Sequence, residues 1–282
     1  MARETKIAIV GPGRLGAALA LALCGAGYRV AEIICHKSPL AKVKTLARKI
    51  RARVPAFESA RLDADLIWLC VPDRAISSVA RALAKRYSWK TKIVFHSSGA
   101  LASDELNPLR REGAAVASVH PLMTFVAGTA PSLEGVPFAI EGDARAVAQA
   151  RKIARRLGAQ PFAIRRQDKA IYHAWGAFAS PLLIALLATA EEVGRAAGLS
   201  PVEAKKKILP IVRQTIANYA ALGPAGALSG PLTRGDVEVV TRHIKALKKM
   251  PAALLTYLSL SRAGVEYLQP DNRSKLRKVL KP

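Results

Sequence analysis

The sequence predicts an α/β chain: a doubly wound domain over residues 1–167, followed by an all-α domain over residues 168–282. Three observations carry this. Short apolar runs alternate with helical stretches through the first half, and a glycine-rich turn joins the first run to the first helix. Beyond Gln167 the strand-like runs stop, and long apolar-periodic stretches replace them.

The expected strands are Lys6–Val10, Arg29–Cys35, Leu66–Val71, Lys92–His96, Ala115–Val119 and Pro137–Glu141, with helices near Gly13–Gly25, Pro39–Arg51, Ala75–Arg86 and Ser103–Glu112. A helix near Ala144–Leu157 and a strand Gln160–Ile164 close the domain. Such alternation implies a parallel sheet with right-handed crossovers. In the second half, helices are expected over Ala170–Ala197, Pro201–Ala221, Asp236–Lys249 and Ala252–Ala263. The junction RRQDK has neither Gly nor Pro, so the last strand should run almost directly into the first of these helices. The cleft between the domains is the expected active site. LGPAGALSGPLTRGD reads as a Gly/Pro-rich loop, and DNRSKLRKVLKP as a basic tail.

The stretch KIAIVGPGRLGAALALALCGAGYRV is a strand, a G-x-G-x-x-G loop and a helix in the order of a dinucleotide-binding, Rossmann-like fingerprint. Gly11 permits the tight turn, Gly13 leaves room for a pyrophosphate, and Gly16 lets the helix approach the sheet. Pro12, Arg14 and Leu15 complete the cofactor loop at a helix N-terminus that favours anions. After the second strand, an NAD-preferring chain carries an acid for the ribose 2′-hydroxyl. This chain has His36, Lys37 and Ser38 there, which suit a 2′-phosphate, so NADP is the expected cofactor. Glu32 falls inside the strand rather than at its tip.

Composition narrows the class. The chain of 282 residues is 51% hydrophobic, enough for two cores. Its three cysteines, Cys24, Cys35 and Cys70, have no CxxC spacing, which argues against a disulfide framework or a zinc ribbon and for a reducing, cytoplasmic setting. No metal site is expected. MARETK leads straight into the first strand with no signal segment, and the apolar run Pro181–Ala190 is too short to span a bilayer, so no membrane segment is expected. The net charge of +24 is spread along helices without aromatic platforms, which disfavours nucleic acid but would draw anionic ligands.

Candidate chemistry gathers at the carboxyl edge of the sheet. Val71 and Pro72 are expected near the cofactor, and Asp73 is expected to cap the next helix. FHSSGAL and SVHPLMTF bring His96, Ser97, Ser98, His120 and Thr124 to the same edge. Ser97 and Ser98 are counted with the cofactor loop, His120 with the substrate or the nicotinamide, and His96 with the fold. In DKAIYHAWGAFAS, Lys169 and His173 are four apart on one helix face. A carbonyl or imine reductase needs a proton donor there, and His173 is the first choice. Arg234 is positioned to clamp a substrate carboxylate, and Asp236 to cap a helix.

GPGRLG, CVPDRAI, HSSGAL, SVHPLMTF, GVPFAIEGD, DKAIYHA and GPLTRGD, in this order, resemble a family of Rossmann-like oxidoreductases whose helical C-terminal half is a domain of unknown function. That family is similar in architecture to pyrroline-5-carboxylate reductases, beta-hydroxyacid dehydrogenases and ketopantoate reductases. The family runs YHAAAVFASN, whereas this chain has Trp175 and Gly176 within the stretch and Pro181 in place of the Asn. Where the related dehydrogenases carry Lys-x-x-x-Asn, this chain reads Lys169-x-x-x-His173.

The resulting expectation is an NADPH-dependent oxidoreductase that reduces a small anionic keto acid or cyclic imine, with a ketopantoate-like substrate among the options. The alternative is a non-catalytic NADP-binding sensor or scaffold with a basic partner-binding surface. Helices such as PLLIALLATA and AALLTYLSL carry more apolar surface than a small helical domain buries alone, so a homodimer through that domain is expected.

Overall fold

The structure, a computed structural model, describes residues 5–36, 41–268 and 271–281. Contacts divide the chain into two units, Met1–Phe178 and Ala179–Pro282.

In the first unit the strands are β1 (Lys6–Val10), β2 (Arg29–Ile34), β3 (Leu66–Leu69), β4 (Ile93–His96), β5 (Ala115–Pro121), β6 (Pro137–Gly142) and β7 (Gln160–Ala163). The helices among them are α1 (Arg14–Gly25), α2 (Ala41–Ile50), α3 (Asp73–Ala84), α4 (Asn107–Arg111), α5 (Ala144–Arg156) and α6 (Lys169–Ala179). Among the described residues they build one seven-stranded sheet in the order β2-β1-β3-β4-β5-β6-β7.

The period-two alternation of strand side chains sorts the core onto two faces. Ile7, Ile9, Leu66, Trp68 and Phe95 join α1 and α5 through Leu19, Leu23 and Ile153. Ala8, Val10, Ile67, Leu69 and Val94 join α3 through Ile76, Ala80 and Leu83. Helices on both faces make the sheet doubly wound, as expected. The order reverses at β1, so the crevice at the carboxyl ends of β1 and β3 is the topological switch point.

One expectation is corrected: the sheet is not wholly parallel. β6 runs antiparallel to β5, pairing Val119 with Ile140, while the other pairs are parallel. No α-helix lies between β5 and β6, so the chain lacks the crossover that a parallel return needs. The Leu122 N–H to Pro137 carbonyl bond of 2.8 Å closes the reversal instead.

The second unit contains α7 (Pro181–Ala196), α8 (Pro201–Ala227), α9 (Val237–Leu247), α10 (Pro251–Tyr267) and α11 (Arg273–Val279). The helix expected over 170–197 is two helices, because Ser180 leaves helical geometry before Pro181. The loop expected from Leu222 begins later, since α8 runs on to Ala227 across a kink at Gly223 (φ +70°). Ser200 caps α8 in a reciprocal box with Glu203, and Asp236 caps α9 by accepting from the Val239 N–H at 3.2 Å. The tail is ordered as α11, anchored by buried Leu276.

The unit boundary lies between 178 and 179 rather than between 167 and 168, because α6 packs on the first unit. By length and composition the stretch 166–196 is long and apolar enough to cross a membrane, which revises the expectation drawn from Pro181–Ala190 alone. Ser180 interrupts it, and its first turn carries the buried cation Lys169.

A Cβ on Gly16 would lie 2.2 Å from the Gly11 carbonyl oxygen, whereas one on Gly13 meets nothing within 4 Å. Gly16→Ala is therefore expected to destabilise the domain by about 1–3 kcal/mol. Gly13→Ala should leave stability within about 0.5 kcal/mol of the parent. Chemical denaturation of both variants checks the contrast.

Candidate active site

The glycine loop fits a pyrophosphate. Gly11 adopts φ +95°, and its N–H is held by the Ile34 carbonyl at 2.9 Å. A Cβ there would strike the Cys70 carbonyl at 2.7 Å, so the loop lies tightly against the β3 exit, beside Val71. The space over Gly13 is open, and α1 begins with Arg14 and no acid in its first turn. Exposed N–H groups without a competing carboxylate make an anion cradle. Leu15 is half-buried against the core on one side of this loop.

On the ribose side, His36 is exposed at the end of β2, while Lys37 and Ser38 lie outside the described residues. Glu32 is buried and engaged: it pairs with Arg53 and accepts from the Leu62 N–H at 3.0 Å. The one acid near the strand tip is thus turned into the fold.

Val71 and Pro72 occupy the turn into α3. Asp73 does not cap that helix as expected, because Pro72 is the N-cap residue and no side-chain cap bond forms. Its carboxylate instead accepts from Ser98 Oγ at 2.8 Å. Ser98 Oγ also accepts the N–H groups of Ala100 and Leu101, so the hydroxyl knits the loop after β4. Ser97 Oγ accepts from Trp68 Nε1 at 2.7 Å. Both serines, expected on the cofactor, direct their hydroxyls into these internal bonds.

His96 is fully buried. Its Nδ1 accepts the Ser98 N–H at 3.1 Å, so Nε2 carries the proton and donates to the Ala102 carbonyl at 3.0 Å. Burial, above all, pushes it down to about 4. It is a neutral structural residue, as the sequence suggested.

Lys169 and His120 come together at this edge with two residues that sequence reasoning passed over. Lys169 is 1% exposed, and its Nζ donates to the Ser98 carbonyl and to Ser118 Oγ, each at 2.7 Å. Burial lowers its pKa from 10.5 to about 8, against the opposing pull of Glu141 and Asp73. His120 Nδ1 lies 2.8 Å from the Tyr172 hydroxyl. Burial first, then the charge of Lys169, pushes His120 down to about 3. Burial raises Tyr172 to about 12.

His173 is exposed, its ring edge-on to His120 with centroids 5.9 Å apart. A Cβ on Gly99 would lie 2.4 Å from His173 Cδ2 and 2.9 Å from His120 Nε2, so only glycine lets the two imidazoles meet over this loop. Thr124 is exposed beyond β5. Arg234 is an exposed residue of the second unit, in the turn before α9.

The overlooked residues had signals. Ser118 precedes His120 by two along β5 and so shares its face. Tyr172 follows Lys169 by three on α6 and shares its side of the helix.

A doubly wound sheet with a glycine cradle at its switch point defines a nucleotide-binding class of fold. Residues 2–121 match the Rossmann-like domain family, and residues 136–263 match the domain of unknown function DUF2520. The chain is a Rossmann-like domain followed by a DUF2520 domain.

Solved structures share this architecture. A candidate NADP oxidoreductase from Bacteroides fragilis is 22% identical, with 93% of this chain and 98% of that one covered and a TM-score of 0.78. A reductive aminase from Aspergillus terreus, in complex with NADPH and ethyl-5-oxohexanoate, is 16% identical over 98% and 99% of the chains, with a TM-score of 0.69. A pyrroline-5-carboxylate reductase from Coxiella burnetii is 15% identical over 93% and 98%, with a TM-score of 0.58. At these identities the likeness is one of fold. No curated protein matches the chain.

The lowered pKa of Lys169 has a thermodynamic consequence. Between about pH 8 and 10.5 the unfolded chain holds this proton while the folded chain has released it, so stability rises with pH across that window. Relative to Lys169→Met, the parent should gain about 2 kcal/mol on going from pH 7 to pH 10. Urea denaturation of both proteins at the two pH values measures the difference, and equal changes would remove the shifted pKa.

Proposed function

We propose that the protein is an NADPH-dependent oxidoreductase that reduces a small anionic keto acid or cyclic imine. The observation that carries this reading is the cluster of Lys169, His120, Tyr172 and His173 on the same unit, at the strand-exit edge that also bears the glycine cradle. The bound nicotinamide would supply hydride. Hydride arrival builds negative charge on the acceptor oxygen or nitrogen, which calls for hydrogen-bond donors and then a proton. His173, exposed above Gly99, is the proposed proton donor. Lys169 contributes positive potential from below without reaching solvent. NADP is favoured over NAD by the engagement of Glu32 with Arg53 and by the basic and hydroxylic run His36, Lys37, Ser38. Val71, Pro72 and the backbone at Ser97 and Ser98 complete the proposed cofactor edge. Cys24, Cys35 and Cys70 as free thiols are consistent with a cytoplasmic setting.

The second unit supports a homodimer. Ile184, Ile211, Leu222 and Leu255 are each more than 60% exposed, and α7, α8, α9 and α10 line an apolar groove of about 950 Å³. Few of the unit's residues are fully buried, Val240, Val265, Leu276 and Leu280 forming its small core. A second copy brings the same apolar helices and would complete that core.

Calorimetric titration should give tighter binding of NADPH than of NADH, and equal affinities would overturn the cofactor assignment. NADPH absorbance against a panel of 2-keto acids, ketopantoate, pyrroline-5-carboxylate and short beta-keto acids should reveal turnover. His173→Ala should lower kcat on that substrate by on the order of 10²–10⁴ while NADPH affinity holds. Full activity in the folded variant would move the proton to another group. Light scattering at micromolar concentration should report twice the chain mass of 30.1 kDa, and a monomeric mass would contradict the dimer.

A further inference from the structure

The Tyr172 hydroxyl and His120 Nδ1 are 2.8 Å apart, and a hydrogen bond between them can run either way. The surroundings decide the direction. If His120 Nδ1–H donated, the phenolic O–H would need a second acceptor. Tyr172 is 7% exposed, and among the described residues its hydroxyl has no hydrogen-bond partner but His120. A buried O–H left without an acceptor is costly. The favourable arrangement has the phenol donating to Nδ1. A phenol raised to about 12 keeps its proton through the working pH range, and an imidazole held near 3 stays neutral. In a neutral ring whose Nδ1 accepts, Nε2 must carry the hydrogen.

That Nε2–H is free to act. It makes no hydrogen bond among the described residues, and His120 is half-buried. It points to the Gly99 side, where a Cβ would lie 2.9 Å from it and where the His173 ring also arrives. We propose that Tyr172 is a positioning residue of this site: by donating to His120 Nδ1 it fixes the Nε2–H tautomer, and that N–H is presented over Gly99 to the carbonyl oxygen of a substrate.

The role toward substrate rests on the reductase reading above; the tautomer does not. Neighbouring groups also select the acceptor. Asp73 is bonded to Ser98 Oγ, and Glu141 accepts from Ser103 and pairs with Arg166. An N–H donor beside a buried ammonium, with neither carboxylate bonded to it, favours an oxygen that gains negative charge over a nitrogen that arrives as a cation. The division of labour follows: His120 polarises the C=O bond as a neutral donor, and His173 delivers the proton to the oxygen as the hydride reaches carbon.

Nitrogen-15 NMR of histidine-labelled protein at neutral pH reads the tautomer directly, with or without turnover. The parent should show His120 protonated on Nε2 and accepting on Nδ1. In Tyr172→Phe that preference should be lost to a mixture of tautomers, with NADPH affinity and thermal midpoint retained. On a substrate found by the panel, kcat for the 2-keto acid class should fall about tenfold, the scale of one hydrogen bond. An Nδ1–H tautomer in the parent overturns the proposal even if no substrate is found, and so does an unchanged tautomer in Tyr172→Phe. Should that variant fail to fold, the parent spectrum still decides the direction of the bond. Faster turnover of cyclic imines than of keto acids would reject the acceptor assignment while leaving the reductase reading intact.

Discussion

The site hangs on one buried ammonium. Lys169 has left water almost completely, and its Nζ is received by a backbone carbonyl and a hydroxyl rather than by a carboxylate. Desolvating a cation costs several kcal/mol, so the two charge-assisted bonds must be kept if the fold is to keep it there. They tie three elements that are far apart in sequence: the loop after β4 through Ser98, strand β5 through Ser118, and the first turn of α6 through Lys169 itself. Tyr172 and His173 are positioned as a consequence, one helical turn along the same helix.

Among the described residues no carboxylate bonds Lys169 directly, and Glu141 and Asp73 act on its charge from a distance. The acids of the neighbourhood are engaged one by one: Asp73 with Ser98, Glu141 with Ser103 and Arg166, and Asp143 with Arg110 and the Val116 N–H. Asp73, bonded to a neutral hydroxyl, keeps its charge and with Glu141 opposes the lowering of Lys169. Burial first, and the charge of Lys169 after it, keep His120 and His96 in their neutral forms. Neutral imidazoles donate through one nitrogen and accept through the other, so the tautomer, rather than the charge, becomes the property that the surrounding residues must set.

Much of the first unit was legible in the amino-acid sequence because its signals are local. Period-two apolar runs and a glycine loop between strand and helix report backbone constraints that act within a few residues, and Gly11, Gly13 and Gly16 each meet the environment their spacing implied. The antiparallel β6 was not legible from strand patterning, since a strand buried on both faces looks alike in either direction; the missing helix before it was the only cue. The hydroxyl partners of Ser97 and Ser98 were not legible, because they depend on long-range contacts with Trp68 and Asp73. His120 and Lys169 were found by type and place, but their pairing with Tyr172 and Ser118 required the approach of α6 to β5. Spacing along a helix gave the face, and only the fold gave what the face meets.

The second unit was legible in kind but not in detail, for a different physical reason. Its helices have weak amphipathic contrast: PLLIALLATA in α7 is apolar on every side, so periodicity cannot say which face turns inward. Kinks at Ser180 and Gly223 arise where Pro181 and Pro224 remove backbone donors, and Pro210 sits within α8 as well. Apolar burial acts at contact, whereas repulsion between spread surface charges is screened beyond about 8 Å at physiological ionic strength. A chain with net charge +24 can therefore tolerate apposition of its apolar helices with those of a second copy, provided the basic residues stay at the rim. The exposure of Ile184 and Ile211 follows from the same fact, because helices apolar all round leave one face inward and another outward in a single copy.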